Sequence, residues 1–200
     1  MNKSSSKQII EIIRKLVSID YIDPDSIPNI DLYMDQVTTF MDLHLADSKR
    51  DDADKILTKT MINNYTKNNL LPPPVKKKYT KDHMFLLIFI YYLKNMLSIN
   101  DIKRIISPLC EMFFEEKSDI SLEDIYQGIV EQETIHSKSV IKELFQCFKD
   151  SQHFFDEIEN KSEDESEYLK QFSFICMLSY DIYMKKAMLD RMIDDILKPK

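Results

Sequence analysis

The chain holds a single glycine, Gly128, in 200 residues, where average usage would give about fourteen. Glycine enters left-handed backbone without steric cost, so its scarcity removes the usual route to two-residue β-hairpins and to glycine-rich phosphate loops. Prolines gather at 24–28 and 72–74 and leave the longer segments between them open to helix. An apolar fraction of 44% is enough for a packed core. The expectation is a mainly α-helical protein.

The longest apolar run, Met84 to Leu93, is ten residues, about half of the roughly 20 that span a bilayer. It reads as a helix buried on most sides. The N-terminus, MNKSSSK, is polar and the apolar run after it is broken by charges, so no signal peptide is expected. Cys110, Cys147 and Cys176 are widely spaced and form no CxxC, the pattern of reduced thiols in a cytoplasmic protein. No membrane association is expected.

Helical spacing organises the chain into segments. Ser6 is placed to cap a first helix with Ile9, Ile12, Ile13, Leu16 and Val17 on its apolar stripe. After the turn-rich DYIDPDSIPN, Asn29 precedes a second helix with Ile30, Tyr33, Met34, Val37, Phe40, Met41 and Leu45 on one face. Following the polar loop ADSKRDDADK, Thr58 caps a short helix from Lys59 to Asn68. Asn69 stands where that helix must stop, since asparagine tolerates the left-handed conformation of a C′ position. A fourth helix begins near Thr80 and runs to Met96, and a fifth spans Asn100 to Ile106 and ends at Pro108.

Residues 111–200 hold 21 acidic and 11 basic side chains. They read as helices near 121–132 and 137–158, an acidic linker KSEDESE, and a last helix from Glu167 to Leu197. In that helix Tyr168, Ile175, Ile182, Leu189 and Ile196 recur at seven-residue intervals, while Ser179 and Lys186 break the neighbouring position. Such a seam suits packing on another helix, either within the chain or across a homodimer.

Catalytic chemistry is hard to assemble from these residues. Glu133 and His136 have the ExxH spacing of a di-iron helix, but that site needs a second copy and two further carboxylates. Cys147 and His153 have no neighbour that would orient them as nucleophile and base. His44 and His83 read as residues at the boundary of helix apolar faces. The expectation is no enzyme, no metal and no cofactor.

Charge is distributed more informatively. The chain has a net charge of −7, yet Lys55 to Lys81 carries seven lysines and no acidic residue. Within it, Met61, Ile62 and Tyr65 form the inward stripe of the short helix. Thr60, Asn63, Asn64 and Lys67 form a polar outward rail at i, i+3, i+4, i+7. Asparagine can pair bidentately with adenine in the major groove, while threonine and lysine suit phosphates or base edges. With the preceding helix and the basic loop after it, the segment reads as a helix-turn-helix with a wing.

Four motifs in order carry a resemblance: Thr60-Met-Ile-Asn-Asn-Tyr65, Lys67-Asn-Asn-Leu-Leu-Pro72-Pro-Pro, Tyr79-Thr-Lys-Asp-His83 and Leu97-Ser-Ile-Asn-Asp-Ile102. Over Leu57 to Ile106 this resembles the DNA-binding half of MerR-type regulators. There a short recognition helix ending in an aromatic runs into Gly-Leu-Leu-Pro-Pro, then a basic wing. The resemblance implies that Lys59, Thr60, Asn63, Asn64, Tyr65 and Lys67 face DNA, with Lys76, Lys77 and Lys78 on the wing. Asn63 stands where the family has arginine, and Asn69 where it has glycine. The shorter wing implies a hairpin reduced to a loop, and about a dozen polar residues replace the tight turn before the short helix. With LYMDQV at 32–37 and LLPPPVKKKY at 70–79, the chain is also similar to a bacterial family known only as a domain of unknown function.

The expected organisation is an N-terminal helix at 1–26, a MerR-like winged helix-turn-helix domain with reduced wing at 27–107, and an all-helical dimerisation or effector region at 108–200. The expected function is a transcriptional regulator that binds double-stranded DNA, its effector being a protein or a small molecule. The alternative is a protein–protein interaction module that keeps the winged shape without DNA binding.

Overall fold

The computed structural model describes residues 3–16, 21–49, 51, 53–115 and 117–197, with only the backbone described for 3–6. The chain is 70% helix, with seven α-helices and little strand among the described residues. It divides into two compact units, Tyr21–Glu131 with Met192–Lys200, and Met1–Asp20 with Gln132–Arg191.

In the unit built on Tyr21–Glu131, strand β1 (Leu32–Tyr33) leads directly into helix α2 (Met34–His44). The second helix was expected to start after Asn29, with Ile30 and Tyr33 on its apolar face. Instead both are exposed, because Leu32 and Tyr33 are extended and pair antiparallel with strand β2 (Lys78–Tyr79). Leu32 and Tyr79 then supply the buried side chains. The Tyr33 N–H donates to Gln36 Oε1 at 2.8 Å and closes the first turn of α2.

Helix α3 (Lys59–Lys67) starts as its sequence implies: Thr58 Oγ1 accepts from the Met61 N–H at 3.2 Å. It also stops where expected. Asn69 has φ 54, its N–H reaches the Thr66 carbonyl at 3.1 Å, and the Leu70 N–H reaches the Tyr65 carbonyl at 2.8 Å. This is a Schellman closure with asparagine at the left-handed position, and it turns Leu70 and Leu71 into the core.

The expectation that tight hairpins are excluded fails at the next turn. The Lys78 N–H donates to the Val75 carbonyl at 2.9 Å, with Lys76 and Lys77 between them at φ 51 and 65. Two central residues at positive φ are the signature of a type I′ turn. The basic segment is therefore a small hairpin and not a loop. Five non-glycine residues take positive φ among those described, while Gly128 does not. Left-handed backbone is present, made without glycine.

Helix α4 (Lys81–Lys94) is the central helix, with His83, Met84, Phe85, Leu86, Leu87, Ile88, Ile90 and Tyr91 buried. Helix α5 (Ile99–Phe113), capped by Ser98, continues through Pro108 rather than ending there. The proline removes one helical bond, but Leu109, Cys110 and Phe113 beyond it still pack on the core. Helix α6 (Leu122–Ser151) is continuous where a break was expected near residue 132. Its Tyr126 is fully buried and donates to the Ile22 carbonyl at 2.7 Å.

Helix α7 (Glu163–Asp195) absorbs the stretch expected as an acidic linker. Ser162 caps it, exchanging bonds with Glu165 at 2.8 and 3.2 Å. Glu163, Asp164 and Glu165 lie in the first turn, where the helix dipole favours negative charge. In the unit built on Gln132–Arg191, helix α1 (Lys3–Leu16) begins before Ser6, so Ser6 lies inside it and is not its cap. Ile13 packs with Phe148 and Phe174, whose rings meet edge-on at 5.4 Å. Ile12 and Leu16, expected on the inward stripe, are exposed; Ile9 and Ile10 fill in beside Ile13. Val17 lies outside the described residues. No helix among those described is long and apolar enough to cross a membrane.

Candidate nucleic-acid interface

Capping at both ends makes α3 a short rigid rod, and its two stripes separate as the spacing implied. Ile62 and Tyr65 are buried, while Lys59, Thr60, Asn63, Asn64 and Lys67 are all exposed. Asn63 and Asn64 lie side by side on the exposed face with no side-chain amide bond to another described residue. Tyr65 stands apart from the other expected contacts. It is 6% exposed, and burial raises its phenol pKa. It anchors the helix, and its carbonyl takes the closing bonds at the C-terminus.

Lys76 and Lys77 are exposed at the hairpin tip, and Lys78 is half-buried. The Lys78 ammonium lies 5.4 Å from the centroid of the Tyr33 ring, close enough for cation–π attraction. Lys59 forms an ion pair with Asp35. The base of the hairpin and the first residue of α3 therefore both reach one three-residue segment, Tyr33–Asp35. Helix α2 packs against both α3 and β2, and Lys59 and Lys78 meet around its N-terminus. Tyr33 and Asp35 were not among the expected site residues. The signal for them lay in the LYMDQV motif, which was read only as part of a resemblance.

One lysine of the basic stretch is committed elsewhere: Lys81 pairs with Glu123 at 2.7 Å. Lys94, outside the stretch, donates to the Ile56 carbonyl. Lys67, Lys76 and Lys77 make no ion pair with a described residue.

His83 was expected at a boundary and is fully buried. Its Nδ1 accepts from the Thr80 N–H at 3.1 Å and meets Thr80 Oγ1 at 2.8 Å. The ring sits edge-on to Tyr79 at 5.5 Å and Phe114 at 4.9 Å. Burial lowers its pKa, opposed by the Pro72 and Pro73 carbonyls and by Glu115 and Asp82. Because Nδ1 accepts from the Thr80 N–H, the neutral ring carries its proton on Nε2, which has no hydrogen-bond partner among the described residues. His83 thereby closes the first turn of α4 and packs it between Tyr79 and Phe114.

The other candidate groups do not converge. His153 pairs with Asp156 at 2.9 Å and is exposed. Burial, then Asp181 and Asp150, raise the Cys147 thiol pKa, and burial raises Cys110 to about 11. Both are held as thiols rather than nucleophilic thiolates. Glu133 and His136 are exposed on α6, and no group of three or more His, Cys, Asp or Glu among the described residues could hold a metal ion. His44 is exposed, with its ring 4.2 Å from that of Phe40.

By its architecture the Tyr21–Glu131 unit is a helical domain with a two-stranded ribbon and a lysine-tipped hairpin. Residues 22–129 match the family described as a domain of unknown function (DUF1836), and the chain belongs to that family. The matched span is almost the whole of this unit. No MerR-type or helix-turn-helix family matches. No curated protein matches, and no solved structure does.

Proposed function

We propose that this protein is a cytoplasmic DNA-binding transcriptional regulator of winged helix-turn-helix type and not an enzyme, with α3 facing the major groove and the Val75–Lys78 hairpin on the flanking backbone. The observation that carries the reading is the shared anchorage of the two basic elements. Lys59 and Lys78 both bind the Tyr33–Asp35 segment, which supports a continuous basic face from the helix to the hairpin. On that face Asn63 and Asn64 supply donors and acceptors for base edges. Lys67, Lys76 and Lys77 supply charge for phosphates.

Tyr65 is assigned a supporting role because its ring is in the core. Asn63 replaces a guanidinium by an amide, which shifts the preferred base from guanine toward adenine.

Salt dependence of duplex binding, followed by fluorescence anisotropy, tests the proposal. Three lysine–phosphate contacts per protomer, from Lys67, Lys76 and Lys77, give a slope of about −2.7 in log K against log salt for one protomer, or about −5.4 for two. A slope near zero removes the DNA reading and leaves a protein surface as the occupant of this face.

A further inference from the structure

The unit built on Gln132–Arg191 buries little. Among its described residues only Ile13, Phe148 and Phe174 are fully buried apolar side chains, too few to offset the entropy of ordering three helices. Meanwhile α7 leaves a stripe of apolar residues in solvent. Tyr168, Phe172, Ile175 and Ile182 are 64, 47, 59 and 63% exposed. With Ser179 between the last two, they fall at alternating steps of four and three, the spacing of a helix–helix seam. Extended one step each way, the seam reads Glu165, Tyr168, Phe172, Ile175, Ser179, Ile182, Lys186.

We propose that a second copy of this chain covers this seam, with the two α7 helices antiparallel and the two-fold axis at Ile175. The residues that break the apolar pattern decide the direction. Antiparallel pairing about Ile175 places Tyr168 opposite Ile182 of the other copy, and sets Glu165 within one residue of Lys186 and Phe172 within one residue of Ser179. Each large ring meets a smaller side chain, and each charge meets its opposite. Parallel pairing sets Glu165 on Glu165, Lys186 on Lys186 and Phe172 on Phe172, which repels at both ends and overpacks between them. Lys186 pairs with Asp190 of its own helix, an exchange that the opposing Glu165 can supplement. The patch is centred on its own axis, as a self-complementary surface requires. The proposal does not rest on DNA binding.

Crosslinking between two variants with one introduced cysteine each tests it, in a background with exposed Cys176 replaced by serine. Chains carrying Tyr168→Cys and chains carrying Ile182→Cys are mixed and oxidised, and the crosslinked peptides are identified by mass spectrometry. Positions 168 and 182 lie about 21 Å apart along the helix, so the two orientations cannot give the same product. The expected product joins 168 to 182. Predominant 168–168 and 182–182 products overturn the orientation, and monomers with no crosslink overturn the pairing.

Ile175→Glu gives a second readout. It places like charges on the axis at a position exposed in the free chain. The helical circular dichroism should stay unchanged while the dimer dissociation constant, measured by sedimentation, rises at least about a hundredfold. A variant that remains dimeric with unchanged affinity contradicts the proposal.

Discussion

Replacing Lys76-Lys77 by Asn-Gly should stabilise the fold and weaken DNA binding together. Both lysines hold positive φ, at 51 and 65, where a Cβ costs about 1–2 kcal/mol per residue. Asparagine and glycine carry little of that cost, although glycine returns about 0.5–1 kcal/mol through its looser unfolded state. The net gain is about 1–2 kcal/mol, or roughly 2–8 °C in Tm for a chain of this length. The same change removes two exposed ammonium groups, so the salt slope should become shallower by about 1.8 per protomer. Urea unfolding and anisotropy at several salt concentrations read the two effects separately. A loss of stability would refute the left-handed turn, since Asn-Gly is the preferred sequence for it. Unchanged binding with raised stability would refute the role of the hairpin in DNA contact while leaving its geometry intact. Opposite signs are the expected result, and they would explain lysines at positions that favour other residues.

Asn63→Ala or Asn64→Ala should cost about 1–3 kcal/mol of discrimination between preferred and random duplexes, whereas Lys77→Ala should weaken both about equally; competition binding separates these outcomes. Stability should fall as pH drops below the ordinary histidine value of 6.5, because burial lowers the folded pKa of His83 and the unfolded chain takes up its proton first. In His83→Gln the slope of stability between about pH 5 and 6.5 should flatten, as followed by urea titration at each pH. Asn69→Gly should preserve or raise Tm, while Asn69→Ala should lower stability by about 1 kcal/mol, since position 69 sits at φ 54 and closes α3.

Local signals were the most legible. Thr58, Thr80, Asn69 and the polar rail of α3 act over three or four residues, and the structure places each where its chemistry implied. Breaks were harder to read. Pro108 reads as an end, yet apolar side chains beyond it hold α5 together. The KSEDESE stretch reads as a linker, yet Ser162 and Glu165 make it a helix start. The sequence puts the start of α2 just after Asn29, because the strand pair of Leu32–Tyr33 with Lys78–Tyr79 joins segments more than forty residues apart in sequence. Glycine scarcity was a sound guide to helix content but a poor one to turns, since lysine, asparagine and glutamate supply the left-handed positions. The rail of the site was visible in the spacing of α3. Its link to the hairpin was not, because Tyr33 and Asp35 gain their meaning only from what packs against them.

Selection from a pool of random duplex DNA by the purified protein tests the central claim most directly. The expected result is enrichment of a short common motif that disappears when Asn63 and Asn64 are both replaced by alanine, with residual binding that depends on salt. Recovery of duplexes indistinguishable from the input pool, at any salt concentration, would contradict a base-reading role for α3.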